Sequence, residues 1–153
     1  MIRAVLDTNV IASALVGERR PGNQPAAVLH RWQAGHFSLV TSEPLCDELD
    51  RTLNKPYFRR FVTPEHQRSV LAELRFSGEV VHPLLGVGPI AAHPEDDVVV
   101  ATALAGDADY VVTGDRAFLA VGGFATVRFV PIGEFLLLLD TSRREHPHGS
   151  ERT

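Results

Sequence analysis

Apolar and polar positions along this chain switch repeatedly between two periods. Ile2 and Ala4-Val5-Leu6 make a short apolar run that stops at Asp7-Thr8-Asn9, after which Val10, Ile11, Ala14 and Leu15 recur at helical spacing. This is a buried first strand running straight into a helix. The same change recurs downstream. A helical stretch through Ala26, Leu29 and Trp32 stops at Gly35, and Phe37, Leu39 and Val40 form a second strand. Thr41-Ser42-Glu43-Pro44 opens a helix with Ser42 as its N-cap, Leu45, Leu49 and Leu53 as its buried stripe and Pro56 as its end. Tyr57, Phe58 and Phe61 then give an aromatic turn interleaved with Arg59 and Arg60. Thr63 to Gly78 is a helix facing inward through Val70, Leu71 and Leu74, and Glu79 to His82 is a third strand. The proline- and glycine-rich span from Pro83 to Glu95 reads as a loop. Its Gly86-Val87-Gly88 lacks the third glycine and the strand-to-helix setting of a dinucleotide site. Pro94 to Gly106 is apolar nearly all round beyond its acids, which marks a central buried helix. Ala108 to Thr113 is a fourth strand, a short helix follows to Leu119, and Thr126 to Val130 is a fifth strand. Pro131 to Leu139 reads as a last helix or turn.

Strands alternating with helices specify an α/β sandwich on a mainly parallel sheet of about five strands. The first and fourth strands are expected side by side, because Asp7 and Asp115 both leave carboxyl ends. One domain is expected over residues 1–140, with residues 141–153 a polar, mobile tail. The 153 residues suffice for one full core, and 44% hydrophobic with 22% charged residues is ordinary for a globular protein. With no signal-peptide pattern and no apolar run of membrane-spanning length, a cytoplasmic protein with no membrane partner is expected. The single cysteine, Cys46, allows no intrachain disulfide and sits in an apolar pattern that predicts packing.

The net charge of −4 argues weakly against nucleic acid, but its distribution changes the picture. Arg51, Lys55, Arg59, Arg60, Arg68 and Arg75 crowd one central segment, so a basic surface can accompany an acidic pocket. The acids form their own pattern. Asp7 ends the first strand, Glu48 borders the buried stripe of its helix, Asp97 opens the central helix, and Asp115 follows the fourth strand. Each also has an ordinary structural role open to it: Asp7 and Asp115 as caps or turn residues, Asp96 and Asp97 as acids at a helix N-terminus, Glu48 as a half-exposed helix residue. If the four converge, they cannot all stay ionised without a cation. An all-oxygen pocket suits Mg²⁺ or Mn²⁺, whereas no histidine or cysteine is placed for zinc.

Four stretches, in order, carry a resemblance: Val5-Leu6-Asp7-Thr8-Asn9-Val10, then Glu48-Leu49 leading to Asn54-Lys55-Pro56-Tyr57-Phe58, then Asp97 to Ala103, then Ala108 to Asp115. Together they resemble the PIN domain, in particular its toxin-like bacterial branch similar to VapC toxins, over about residues 2 to 135. The resemblance implies a three-layer α/β/α sandwich and a metal-dependent ribonuclease for single-stranded RNA. It also implies the toxin of a toxin–antitoxin pair, often a homodimer, with an antitoxin protein as partner. Asp7, Glu48, Asp97 and Asp115 would hold Mg²⁺ or Mn²⁺ and carry catalysis. Thr8, Asn9 and Thr113 would support the pocket by hydrogen bonding. Asp96 neighbours the matched acid, and the helical register of Val98 to Ala103 favours Asp97. Arg59 and Arg60, with Tyr57 and Phe58, are expected on an RNA path or partner face.

Three other readings compete. A haloacid-dehalogenase-type phosphatase needs a second aspartate two residues after the first, where this chain has Asn9. A receiver-like domain wants a late lysine, and the single lysine is Lys55. A PIN fold kept only as an RNA- or protein-binding module is separated from the nuclease by a cleavage assay.

Overall fold

The computed structural model describes residues 1–84 and 94–145; the side chains of residues 94–97 lie outside the description. The elements are β1 (Arg3–Leu6), α1 (Thr8–Gly17), α2 (Gln24–Gln33), β2 (Ser38–Ser42), α3 (Glu43–Leu53), α4 (Pro56–Arg59), α5 (Pro64–Ser77), β3 (Glu79–Val81), α6 (Pro94–Ala105), β4 (Tyr110–Val112), α7 (Arg116–Val121), β5 (Gly123–Phe124), β6 (Val127–Val130) and α8 (Ile132–Glu145). Most of the Pro83–Glu95 loop, including Gly86 and Gly88, falls outside the described residues.

The strands among the described residues form one six-stranded sheet in the order β3-β2-β1-β4-β6-β5. All neighbours are parallel except β5 and β6. β1 and β4 are adjacent as expected, with Val5 opposite Val111 and Leu6 opposite Val112.

Strand residues alternate between two cores. Ala4, Leu6, Leu39, Val112 and Val130 face a layer built from α1, α2, α5 and α8, centred on Leu29, Phe37, Leu74 and Phe135. Val5, Val40, Val111 and Phe129 face the opposite layer, where Val99, Val100 and Ala103 of α6 pack with Phe118 of α7. α3 joins both: Leu45 belongs to the α6 side, whereas Cys46, Leu49 and Leu53 belong to the α1 side. Cys46 is buried packing, and its thiol is pushed up first of all by burial. Gly106 lets α6 end hard against the sheet, because a Cβ there would meet Val40 Cγ1 at 2.4 Å. Among the described residues no helix is long and apolar enough to cross a membrane.

Four expectations change. The sheet has six strands rather than about five: Gly122, at φ 84°, and Ala125, at φ 53°, turn a two-residue β5 back onto β6, too short to show a period. The last helix runs to Glu145, five residues into the stretch expected as a mobile tail. Phe135 and Leu139 bury its inner face, and Asp140 pairs with Arg31 at 2.8 Å. Residues 146–153 lie outside the described residues. The aromatic turn is a one-turn helix, α4, and its residues divide: Phe58 packs on the core while Tyr57 is 55% exposed. Ser42 stands at the N-cap of α3, but its side chain makes no capping hydrogen bond.

Candidate active site at the carboxyl edge of β1 and β4

Burial and pairing on both faces hold β1 and β4 side by side, so their carboxyl ends deliver Asp7 and Thr113-Gly114-Asp115 to one place. Asp7 occupies the N-cap position of α1, and its carbonyl accepts from Val10 N–H at 2.9 Å. Its carboxylate, however, does not cap the helix. Instead Thr113 Oγ1 donates to Asp7 Oδ2 at 2.8 Å, inside the protein. The same hydroxyl accepts from Asp115 N–H at 3.1 Å. One hydroxyl therefore joins the two acids, one through its side chain and one through its backbone.

Asp7 is only 8% exposed. Burial pushes its carboxyl above the ordinary carboxylate range, and the charge of Asp115 adds to the push. The Thr113 hydroxyl and the Thr8 amide pull the other way without cancelling it. Asp115 is half-buried and does cap: its Oδ1 accepts from Ala117 N–H at 2.8 Å and Phe118 N–H at 3.3 Å at the start of α7. The capping role open to both residues thus belongs to Asp115 and not to the Asp7 side chain.

A cavity of about 310 Å³ opens between these groups, lined by Asp7, Asn9, Val10, Ser13, Gly114, Asp115 and Ile132. Asn9 and Ser13 are i, i+4 neighbours on the exposed face of α1. Sequence reasoning found Asn9 and missed Ser13. The available signal was a second polar residue at helical spacing on a helix otherwise almost wholly buried. Thr8 is 2% exposed, and its hydroxyl has no hydrogen-bond partner among the described residues.

Glu48 stands half-buried on α3 and does not line this cavity. Asp96 and Asp97 lie in the first turn of α6, and their side chains fall outside the described residues. Among the described residues no three acids, histidines or cysteines gather into a ligand cluster. The polar side chains on the cavity are all oxygen-bearing, with the two acids joined through Thr113. A carboxylate held in a buried site above its ordinary pKa is what a cation would ionise fully. The buried hydroxyl of Thr8, next to Asp7 in sequence though not on the cavity wall, has no hydrogen-bond partner among the described residues. These features fit a hard divalent ion.

The family follows from the sequence as a whole. The PIN domain family model matches residues 3–117. This chain belongs to the PIN domain family. PIN domains are in general nucleases, and hence hydrolases, usually with Mg²⁺ or Mn²⁺. No curated protein matches the sequence at a significant level. Among solved structures, the crystal structure of PAE2754 from Pyrobaculum aerophilum superposes on 92% of this chain and 98% of that one, at a TM-score of 0.44 and 15% identity.

On this PIN domain the remaining predicted residues do not line the cavity. Arg59 is half-buried, its guanidinium contacting Asn54 Oδ1 and donating to the Val62 carbonyl at 3.4 Å. Arg60 is exposed and stacks over Phe61 at 5.7 Å from the ring centroid, beside the exposed Tyr57. Arg59 is therefore in part a structural brace, whereas Arg60, Tyr57 and Phe61 form an open cationic–aromatic patch. Gln67, which sequence reasoning passed over, ties α5 to α3 by donating to Asp50 Oδ1 at 2.7 Å.

Proposed function

We propose that this PIN domain is a Mg²⁺- or Mn²⁺-dependent endoribonuclease acting on single-stranded RNA. The observation that carries the reading is Asp7: a buried carboxylate at a strand's carboxyl end, coupled through Thr113 to Asp115 on an oxygen-lined cavity. Asp7, Glu48, Asp97 and Asp115 would hold the ion, by the motif resemblance for Glu48 and Asp97 and by the cavity for the other two. When bound, such an ion stabilises the charge that gathers on a phosphodiester under in-line attack.

The chain's own groups do the rest. Thr113 fixes the Asp7 carboxylate by donating to its Oδ2. Asp115 keeps its orientation because two α7 amides hold its Oδ1. Asn9 and Ser13 supply neutral hydrogen-bonding groups on the cavity wall, suited to ribose or phosphate oxygens. Arg60 and Tyr57, with Arg59 behind them, offer a face where phosphates meet a guanidinium and unpaired bases meet an aromatic ring. A toxin role, with an antitoxin partner and a homodimeric state in the cytoplasm, rests on the resemblance of the four motifs to the VapC-like branch.

The test is cleavage of a labelled single-stranded RNA with Mg²⁺ or Mn²⁺, with chelator, and with Asp7→Asn. Cleavage that needs the ion and falls by about 10²-fold or more in the variant is the expected result. RNA bound but never cut, with or without ion, leaves an RNA-binding module and ends the enzyme reading.

A further inference from the structure

Ser42 stands where the sequence asks for a helix cap, and it does something else. Its Oγ lies 2.9 Å from Thr102 Oγ1, and both side chains are 0% exposed. Thr102 has one hydroxyl proton, and it donates that proton to the Val98 carbonyl at 2.8 Å. Ser42 must therefore be the donor to Thr102. The direction is fixed, and the bond joins Ser42, where β2 ends and α3 begins, to α6 across 60 residues of sequence. Ser42 forgoes the capping interaction that its position and its extended backbone, φ −151° and ψ 161°, make available. A local preference given up for a buried tertiary contact marks a place where relative position matters.

We infer that Ser42 and Thr102 are a positioning pair that sets the register of α3 against α6 for the site proposed above, an inference that rests on that reading. Glu48 lies six residues beyond Ser42 on α3, about 9 Å along the axis. Asp97 lies five residues before Thr102 on α6, about 7.5 Å along that axis. The bond thus sits within two turns of both acids and touches neither. The surrounding contacts are apolar: Leu45 of α3 packs in one core with Val99, Val100 and Ala103 of α6. Such contacts are non-directional and tolerate sliding, whereas a buried, singly directed hydroxyl pair does not. The pair supplies a directed hydrogen bond between the start of α3 and α6.

The experiment uses the full chain and four variants: Ser42→Ala, Thr102→Val, their combination, and Thr102→Ser, which keeps the hydroxyl. Mn²⁺ affinity is read without RNA, from the ion-induced rise in Tm, and kcat and KM are read on a single-stranded RNA. Ser42→Ala and Thr102→Val should each raise the half-saturating Mn²⁺ concentration about 10-fold and lower kcat by a similar factor, with KM for RNA unchanged. The combination should be no worse than the worse single change, because both remove one bond. Thr102→Ser should stay within about 2-fold of the parent by the same reasoning. If Thr102→Val does not fold, Ser42→Ala decides alone, since it removes the donor and leaves α6 intact. Folded variants with the parent's Mn²⁺ affinity and kcat overturn the positioning role and leave the nuclease reading standing. A parent that neither binds Mn²⁺ nor cuts RNA overturns both.

Discussion

The Thr113 hydroxyl is the most informative single atom to remove. Thr113→Val keeps the volume and the β-branched shape just past the end of β4, but it deletes a donor to a buried carboxylate and an acceptor from the Asp115 amide. A hydrogen bond to a charged group contributes about 1.5–3 kcal/mol, against roughly 0.5–1.5 kcal/mol for a neutral one. The Asp115 amide is half-buried, where water can replace part of its loss. The expected destabilisation near pH 7 is therefore about 1.5–3 kcal/mol, or roughly 3–12 °C in Tm for a domain of this size. The sign of the pH dependence follows from Asp7. Its folded pKa is already raised above 3.8, so the native state holds the proton longer than the unfolded one. Stability accordingly falls as pH rises from about that value through the folded pKa. The Thr113 bond lowers that pKa, so deleting it raises the pKa further and steepens the fall. The assay is urea unfolding of parent and variant, without metal, at about pH 4 and about pH 7. The loss should be near the neutral-bond value at the lower pH and near the charged-bond value at the higher. Equal losses at both pH values, or the same loss when Asp7→Asn is already present, would show that the hydroxyl does not act on Asp7.

Three further outcomes follow from the same geometry. Without metal, Asp7→Asn should be at least as stable as the parent, with the advantage growing above about pH 4, as chemical unfolding across pH would show; a variant that unfolds outright makes Asp7 a structural residue. Asp115→Asn keeps the Oδ1 that accepts from Ala117 and Phe118, so it should hold its Tm while weakening Mn²⁺ binding, whereas Asp115→Ala should also lose about 1 kcal/mol of cap energy. Arg60→Ala with Tyr57→Ala should weaken RNA binding and lower the slope of log K against log[salt] by about 0.7, the single-strand value for one phosphate contact, while Arg59→Ala should chiefly lower Tm; an unchanged slope in the double variant takes this patch off the RNA path.

Much of this was legible in the sequence because periodicity and strand-end chemistry are local signals. The run ending at Asp7 and the run ending at Thr113 both announced strands that stop in polar groups, and two such ends in a parallel sheet share an edge. The adjacency of β1 and β4 follows from that alone. What stayed hidden was tertiary. Nothing near Ser42 says that its hydroxyl will reach α6 instead of capping α3, because the partner is 60 residues away. Gln67 holding Asp50 is hidden for the same reason. Ser13 was missed because a lone serine on a helix is ordinary until the cavity beside it is known. β5 escaped because two residues carry no period.

β1 and β4 are laced at both ends. At one end Arg3 N–H donates to Asp109 Oδ2 at 2.9 Å and Asp109 N–H donates to the Arg3 carbonyl at 2.7 Å. At the other, Asp7 N–H donates to the Val112 carbonyl at 2.9 Å, and Thr113 closes on Asp7. Two central strands tied this way have no free end from which to fray. The amides between the ties, such as those of Val5 and Val111, should exchange with solvent only through global unfolding. Asp7 and Thr113 therefore part company only when the whole sheet melts. A ligand that binds only this closed arrangement would therefore stabilise the entire fold, by RT ln(1 + [L]/Kd).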